Sequence, residues 1–243
     1  MAMRTTLSDK YRSLWTVLTL VLLAPTANLP AAPSSLKAQP ISLDRQLIGL
    51  WHLNPKTMGY RFDDIRKAKL LLDEGASVDA RDGVGATALM YAILSDDQAC
   101  MTLLLSRGAD VNAKNDTGMT VMEAAIRFSS IKSVRLLLSH RPDLNAKDGE
   151  GVTPIGWAAM CGDKDLVDLL IKRGADPNVK SNTGSTLLMD AVLSGNAACV
   201  RYVIHRGVNL NERDDDGETA LTQARSYHRP QIVRLLTAAG AKS

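Results

Sequence analysis

The chain has 243 residues and a formal net charge of +3, and 23% of its residues are charged. Only 4% are aromatic and no basic block is present, which argues against a nucleic-acid-binding surface. The length allows either two globular domains or one repeat array.

Residues 1–30 have the order of a secretory signal peptide. Basic residues between positions 4 and 12 precede an uncharged apolar run, Leu14–Ala24, and small residues and prolines follow. As a helix, this run would be roughly 17 Å long and could not cross a hydrocarbon core about 30 Å thick. We therefore expect cleavage at about residues 27–32, a periplasmic or secreted protein, and no membrane insertion afterwards. Because no Ala-x-Ala site is present, an uncleaved inner-membrane anchor is the alternative.

Two helices are predicted ahead of the regular part of the chain. Residues 31–42 carry no periodic pattern and are interpreted as a linker. An apolar helix is predicted from Leu43 to Leu53, with Asn54-Pro55 ending it. The second helix is predicted from Phe62 to Glu74, where a glycine stops it. Its apolar residues share one face: Ile65, Ala68, Leu71 and Leu72. Residues 43–81 are therefore interpreted as a degenerate capping repeat.

From residue 82 onward, one pattern returns every 33 residues. A glycine and a threonine two positions later recur together at Gly85 and Thr87, Gly118 and Thr120, Gly151 and Thr153, Gly184 and Thr186, and Gly217 and Thr219. Periods of this size indicate stacked repeats rather than a single wrapped core. The repeats are placed at 82–114, 115–147, 148–180 and 181–213, with a C-terminal capping repeat at 214–243.

Each repeat encodes a turn and two helices. An aspartate, as at Asp82, opens a turn that closes at the glycine, which permits positive φ, and the threonine caps the first helix. Thr120 and Glu123 have capping-box spacing, and Pro154 takes the first position of its helix. A leucine-rich second helix follows and ends at a second glycine, except where Arg141 must take positive φ instead. Small residues in the first helices allow close helix approach: Ala92, Ala125, Ala158, Ala191 and Ala224.

Three segments resemble ankyrin repeats: Gly-Ala-Thr-Ala-Leu-Met-Tyr-Ala at 85–92, Arg-Gly-Ala-Asp-Val-Asn-Ala-Lys at 107–114, and Gly-Val-Thr-Pro-Ile-Gly-Trp-Ala at 151–158. The resemblance covers about residues 60–243. It implies an all-α repeat solenoid, an ankyrin-like stack of helix–turn–helix units with hairpin-like turns. The histidine that the family often carries after the leucine of its Thr-Pro-Leu block is absent here, and the slot holds Met90, Glu123, Gly156, Met189 and Thr222.

No catalytic, cofactor or metal site is predicted. The four histidines are not at metal-ligand spacing from one another or from a cysteine, and a partial calcium loop at 212–217 lacks its final glutamate. Cys100 and Cys199 are three periods apart, about 25–30 Å in a stack of helices, too far for a disulfide. The cysteines are therefore interpreted as core residues, and a reactive Cys161 is left open.

The resemblance implies a non-enzymatic, monomeric scaffold whose concave face binds another protein, with no cofactor. With its signal peptide, the chain resembles bacterial exported ankyrin proteins. Some of these are associated with protection from oxidants, some with neutralising a toxin, and some with delivery into host cells. A membrane-tethered organiser is the alternative function, and an enzyme hidden among the repeats is disfavoured because no catalytic motif is present.

The candidate partner-binding surface comprises the turns and the exposed ends of the first helices. Most of these slots hold small or polar residues that packing is expected to leave free to vary: Gly83, Ala86, Ser95, Gly149, Ser185 and Ser194. Two adjacent repeats instead carry Met119, Arg127, Phe128, Val152, Trp157 and Met160. Aromatic residues, Met and Arg are enriched in interface cores, so these six are predicted to form an exposed partner site. The alternative is that Phe128, Trp157 and Met160 fill gaps between helices.

Overall fold

The computed structural model describes residues 42–50 and 63–242. Within these ranges the chain forms twelve helices and no strand, numbered here in chain order. They are α1 Leu43–Gly49, α2 Asp63–Asp73, α3 Ala88–Leu94, α4 Gln98–Ser106, α5 Val121–Phe128, α6 Ile131–Ser139, α7 Pro154–Met160, α8 Lys164–Lys172, α9 Leu187–Ser194, α10 Ala197–His205, α11 Ala220–Ser226 and α12 Pro230–Ala238. The predicted signal peptide, most of the linker and the predicted helix end at Asn54-Pro55 lie outside the described residues.

The helices form two rows. The odd-numbered helices, here called the first helices, pack against one another in chain order, and each is backed by the even-numbered second helix that follows it. From α3 onward, neighbouring first helices contact each other more extensively than neighbouring second helices. The predicted all-α repeat solenoid is confirmed.

The core repeats with the same period. One position of the second helices is buried in every unit: Leu71, Leu104, Leu137, Leu170, Val203 and Leu236. Burial of each such leucine contributes about 1.5–3 kcal/mol. The alanines predicted to allow close helix approach are each fully buried in the first helices. Because every repeat shares these contacts with its neighbours, stability resides between repeats rather than within them.

The turns and helix starts follow the sequence prediction. In the first turn, the Asp82 Oδ1 atom accepts hydrogen bonds from the amides of Val84 and Ala86, each at 2.9 Å. The glycines that close the turns have positive φ, from +72° at Gly85 to +83° at Gly118. Four of the five threonines cap their helices through the side-chain oxygen: Thr87, Thr120, Thr186 and Thr219. Thr153, which precedes Pro154, makes no such bond.

The helix ends agree with the prediction, and two further residues that are not glycine have positive φ. Arg141 adopts φ +54°, as its place in the glycine slot required. Asp96 and His228 also have positive φ, at 52° and 54°. The Asp96 Oδ1 atom accepts hydrogen bonds from the hydroxyls of three serines in the next repeat, Ser129, Ser130 and Ser133. Asp96 thus combines the backbone role usual for glycine with a contact between repeats.

Two ladders of hydrogen bonds join each repeat to the next. In the first, an Asp or Asn side chain accepts a hydrogen bond from a backbone amide about one period later. Asp79 accepts from Asp110, Asn112 from Asp143, Asn145 from Asp176 and Asn211 from Lys242. In the second, a basic side chain donates to the carbonyl of its own counterpart in the next repeat, as from Arg81 to Lys114, Lys114 to Lys147 and Lys180 to Arg213. These bonds fix the spacing of the stack.

The cysteines have different environments. Cys100 and Cys199 are buried, which agrees with their interpretation as core residues, and burial raises the pKa of the Cys199 thiol to about 12. Cys161 is half-buried at the end of α7. Within the described ranges, no helix is long and apolar enough to cross a membrane.

Candidate functional site

The turns form one continuous row on the first-helix side. The second and third residues of each turn, here called the turn tips, are 83–84, 116–117, 149–150, 182–183 and 215–216. Backbone amides of one tip donate to carbonyls of the tip before it, at 3.0–3.1 Å: Asp116 to Val84, Asn182 to Glu150, and Asp215 to Thr183. The tips are therefore held in register at three of the four junctions between successive turns.

Three of the five turns, those that open with an aspartate, are also anchored to the helix that follows them. The opening aspartate accepts a hydrogen bond from a side chain nine residues later: Tyr91 donates to Asp82 at 2.5 Å, Trp157 to Asp148 at 2.6 Å, and Gln223 to Asp214 at 2.8 Å. These bonds give a partner to Oδ2 of the aspartate, since the turn's own amides bond Oδ1. They also turn the long side chain back against its own repeat.

The expectation that the six candidate residues form an exposed cluster is wrong. Met119, Val152, Trp157 and Met160 are only 3–7% exposed. The Arg127 side chain is 7% exposed, and Phe128 is half-buried. The anchoring bond to Asp148 explains the burial of Trp157, because it directs the indole along the turn instead of outward. The positions of Phe128, Trp157 and Met160 agree with the alternative, in which these residues fill gaps between helices.

The structure nevertheless brings five of the six residues close together, whereas Met119 belongs to the main core. Val152, Trp157 and Met160 pack with Leu193 in a small apolar cluster separate from the main core. The Arg127 guanidinium lies over the ring of Trp157 at 4.2 Å and over that of Phe128 at 4.9 Å. We call this group the aromatic cluster. It joins α5, α7 and α9 immediately beneath the turn tips.

Two slots expected to vary freely are constrained. Ala86 is 1% exposed and belongs to the core. A Cβ atom on Gly149 would lie 2.4 Å from the backbone oxygen of Thr117 in the preceding turn, so this position requires glycine. In contrast, Gly83 is exposed and has open space around it, as expected.

A buried ion pair lies beside the aromatic cluster. Glu123 and Arg127, one turn apart on α5, are joined by a 2.5 Å hydrogen bond from Nη1 to Oε1, and their side chains are 5% and 7% exposed. The predicted capping box is half right: Thr120 accepts from the Glu123 amide, but the Glu123 carboxylate bonds Arg127. Burial raises the pKa of Glu123 to about 7, although Arg127 acts to lower it. Glu123 Oε2 and Arg127 Nε have no hydrogen-bond partner.

A second buried carboxylate lies further along the same side. Asp190 on α9 is 6% exposed and accepts a hydrogen bond from the Ser185 hydroxyl at 2.9 Å. Gly156 leaves room for it, because a Cβ there would meet Asp190 Oδ2 at 2.8 Å. Burial raises the pKa of Asp190 to about 7, and the nearby negative charge of Asp148 adds to the shift.

We expect Asp190→Asn to stabilise the protein at about pH 8 and to have little effect at about pH 5. The folded-state pKa exceeds the unfolded one, so the stability that protonated Asp190 contributes is complete below about pH 4 and is lost as pH rises through 7. The amide needs no proton, and we expect a gain of about 1–2 kcal/mol at the higher pH. Urea unfolding at both pH values measures it. Asp216→Asn, on an exposed turn tip, is the matched control, and an equal gain there would contradict the assignment.

The sequence interpretation did not recognise Glu123 and Asp190 as site residues. The available signal was a single acidic residue inside each of two short apolar helices, Val-Met-Glu-Ala-Ala-Ile and Leu-Leu-Met-Asp-Ala-Val. Such residues are almost never fully buried unless paired. Across residues 42–50 and 63–242, no group of three or more His, Cys, Asp or Glu is placed to hold a metal ion.

The fold and its row of turns define a repeat solenoid with one continuous, preformed surface. A family model described as "Ankyrin repeats (3 copies)" matches residues 60–148 and 155–243. The chain belongs to the ankyrin-repeat family. Proteins of this family are generally interaction scaffolds without enzymatic activity. No curated protein matches the chain.

Proposed function

We propose that this protein is a non-enzymatic scaffold that binds another protein with the turn tips and the first-helix side of the stack. The observation that carries the proposal is the row of tips, which backbone hydrogen bonds join at three of the four junctions between successive turns. A preformed surface loses little conformational freedom on binding, so more of the contact energy is available as affinity. Family membership supports the same function.

The contact surface proposed here differs from the one predicted from sequence. The exposed tips lie above the aromatic cluster, whose residues are mostly buried. We propose that the cluster supports the surface by joining α5, α7 and α9, and that half-buried Phe128 is its accessible member. Trp157 then acts on a partner through the turn that its indole holds, and Arg127 acts through its contacts with the two rings.

We further propose that the protein works in the periplasm or outside the cell. The support is the order of residues 1–30, in which a basic start precedes a short apolar run and small residues. A membrane-tethered organiser is the second candidate, since the same apolar run could remain as an anchor. The candidate processes are those associated with the exported ankyrin proteins that the chain resembles: protection from oxidants, neutralisation of a toxin and delivery into a host.

Site-specific photo-crosslinking tests the proposal. A photoreactive side chain is placed at Gly83 or Asp116 on the tips, or at exposed Lys132 on α6 as the control. In the protein's own cells, we expect one partner to be crosslinked from the tips and not from Lys132. Equal crosslinking from both sides would overturn the proposed surface. A chain that crosslinks no protein from either tip would overturn the scaffold function.

The same samples report the compartment. Mass spectrometry of the crosslinked chain should find a new N-terminus between Asn28 and Pro33, in a periplasmic or secreted fraction. An intact N-terminus in the membrane fraction would instead support the tethered organiser. A full-length chain in the cytosol would contradict both settings.

A further inference from the structure

A small pocket lies between the second and third turns of the array. Its volume is about 40 Å³, and its lining includes Thr117, Glu123, Arg127, Asp148 and Glu150. A water-sized group needs about 10–15 Å³ of such space. The pocket is therefore large enough for the end of one side chain and too small for a folded peptide segment.

One wall of the pocket carries an unsatisfied acceptor. Glu123 is 4% exposed, its Oε1 atom is bonded to Arg127, and its Oε2 atom has no hydrogen-bond partner. A buried carboxylate oxygen without a donor is unfavourable, and nearly all such atoms in folded proteins have a partner. A donor that entered the pocket would satisfy it.

The charges around the pocket favour a cation. Three carboxylates, those of Glu123, Asp148 and Glu150, line it together with one guanidinium. Asp148 already accepts three hydrogen bonds, from two amides of its own turn and from Trp157, and has less capacity left than the other two carboxylates. Glu123 Oε2 and the exposed Glu150 carboxylate therefore remain as acceptors.

The turn tips around the pocket also carry acidic residues. Across all five turn tips the sequence places four acidic residues and no basic one, at Asp116, Glu150, Asp215 and Asp216. Apart from Arg127, the nearest basic residues precede the turns, where several of them donate to the carbonyl of the next repeat and Arg81 also pairs with Asp116 at 3.4 Å. A partner that approaches the tips therefore meets carboxylates before it meets these basic groups, an order that favours basic surfaces.

We propose that this pocket receives a primary ammonium group, the end of a lysine side chain on the bound protein. The inference rests on the proposed function and names the chemistry of its partner. An ammonium carries three N–H donors on a compact centre. Two of them meet Glu123 and Glu150, and Thr117 supplies the third acceptor. A divalent cation is a poorer occupant, because it requires about six oxygen ligands and would bring twice the positive charge beside Arg127.

A titration of the full chain with Nα-acetyl-lysine amide tests the pocket without a partner. The readouts are the NMR signals of the Trp157 indole N–H, which is bonded to Asp148, and of the backbone amides at 117–119 and 149–150. We expect saturable shifts with the lysine compound and none with Nα-acetyl-norleucine amide, which has the same shape without the charge. Glu150→Gln, at an exposed site where folding is not at risk, should weaken binding about tenfold, the size of one charge-assisted hydrogen bond.

Matched variants keep the outcomes distinct. Glu123→Gln should abolish the lysine-dependent shifts, and Glu218→Gln, in the last turn, should leave them unchanged. Identical shifts with both compounds, or no saturable shift, would overturn the inference and leave water as the occupant. If a protein partner crosslinks from the tips but binds equally well to Glu150→Gln, the scaffold stands and the pocket assignment fails. If the lysine compound binds but no protein crosslinks, the pocket stands and the scaffold function fails.

Discussion

Replacing Gly118 with alanine is expected to lower the free energy of unfolding by about 2–5 kcal/mol. Gly118 has φ +83°, a conformation that L residues adopt only at a cost. In addition, the new Cβ would lie 2.7 Å from both the Cα and the N atom of Gly149 in the next turn. Backbone atoms cannot rotate away as a side chain can, so the two turns would have to separate. Urea unfolding followed by circular dichroism measures the loss.

Gly217→Ala separates the two causes. Gly217 occupies the same place in the last turn, with φ +77°, but nothing lies within 4 Å of its Cβ position. We expect the free energy of unfolding of this variant to fall by about 1–2 kcal/mol, the cost of the backbone conformation alone. The excess loss in Gly118→Ala then measures the close approach between successive turns. Equal losses in the two variants would show that turn stacking contributes nothing measurable.

The periodic features of the fold could be read from the sequence because each depends on one residue and its near neighbours. A glycine at positive φ, a threonine cap and a small residue between helices all have local signatures. Even Arg141, in a slot where glycine is usual, was assigned its backbone conformation correctly from register alone. The requirement for glycine at 149 was missed, since it arises from a residue in the preceding turn.

The candidate site was harder to predict because it depends on the direction in which each side chain points. Residues such as Trp157 and Met160 were placed in the right repeats and do lie together. The burial of Trp157 follows from one hydrogen bond, from its indole to Asp148, that composition cannot reveal. Glu123 was noticed only as a possible cap. Its pairing with Arg127 instead requires knowledge of which face of α5 meets α7, and that is a property of the stack.

Arg127→Met is expected to lower the free energy of unfolding by about 3–5 kcal/mol at about pH 8, because it leaves Glu123 buried without a counter-charge. Methionine retains much of the packing against Phe128 and Trp157, so lost volume is a small part of the effect. The double variant Glu123→Gln with Arg127→Met should recover most of the loss. Arg206 provides a surface comparison, since it also bonds a carboxylate and lies over an aromatic ring but is 37% exposed. Arg206→Met should have a much smaller effect.

The pH dependence identifies the cause. Burial places the folded-state pKa of Glu123 at about 7, above its value of 4.5 in the unfolded chain, and the loss of Arg127 raises it further. Stability from the protonated carboxyl is complete below pH 4.5 and is lost as pH rises through 7. The penalty of Arg127→Met should therefore shrink between about pH 8 and pH 5, as Glu123 takes up its proton in the folded state. A loss that stays constant over this range, or one that Glu123→Gln does not relieve, would mean that Arg127 stabilises the fold through its contacts with the rings alone.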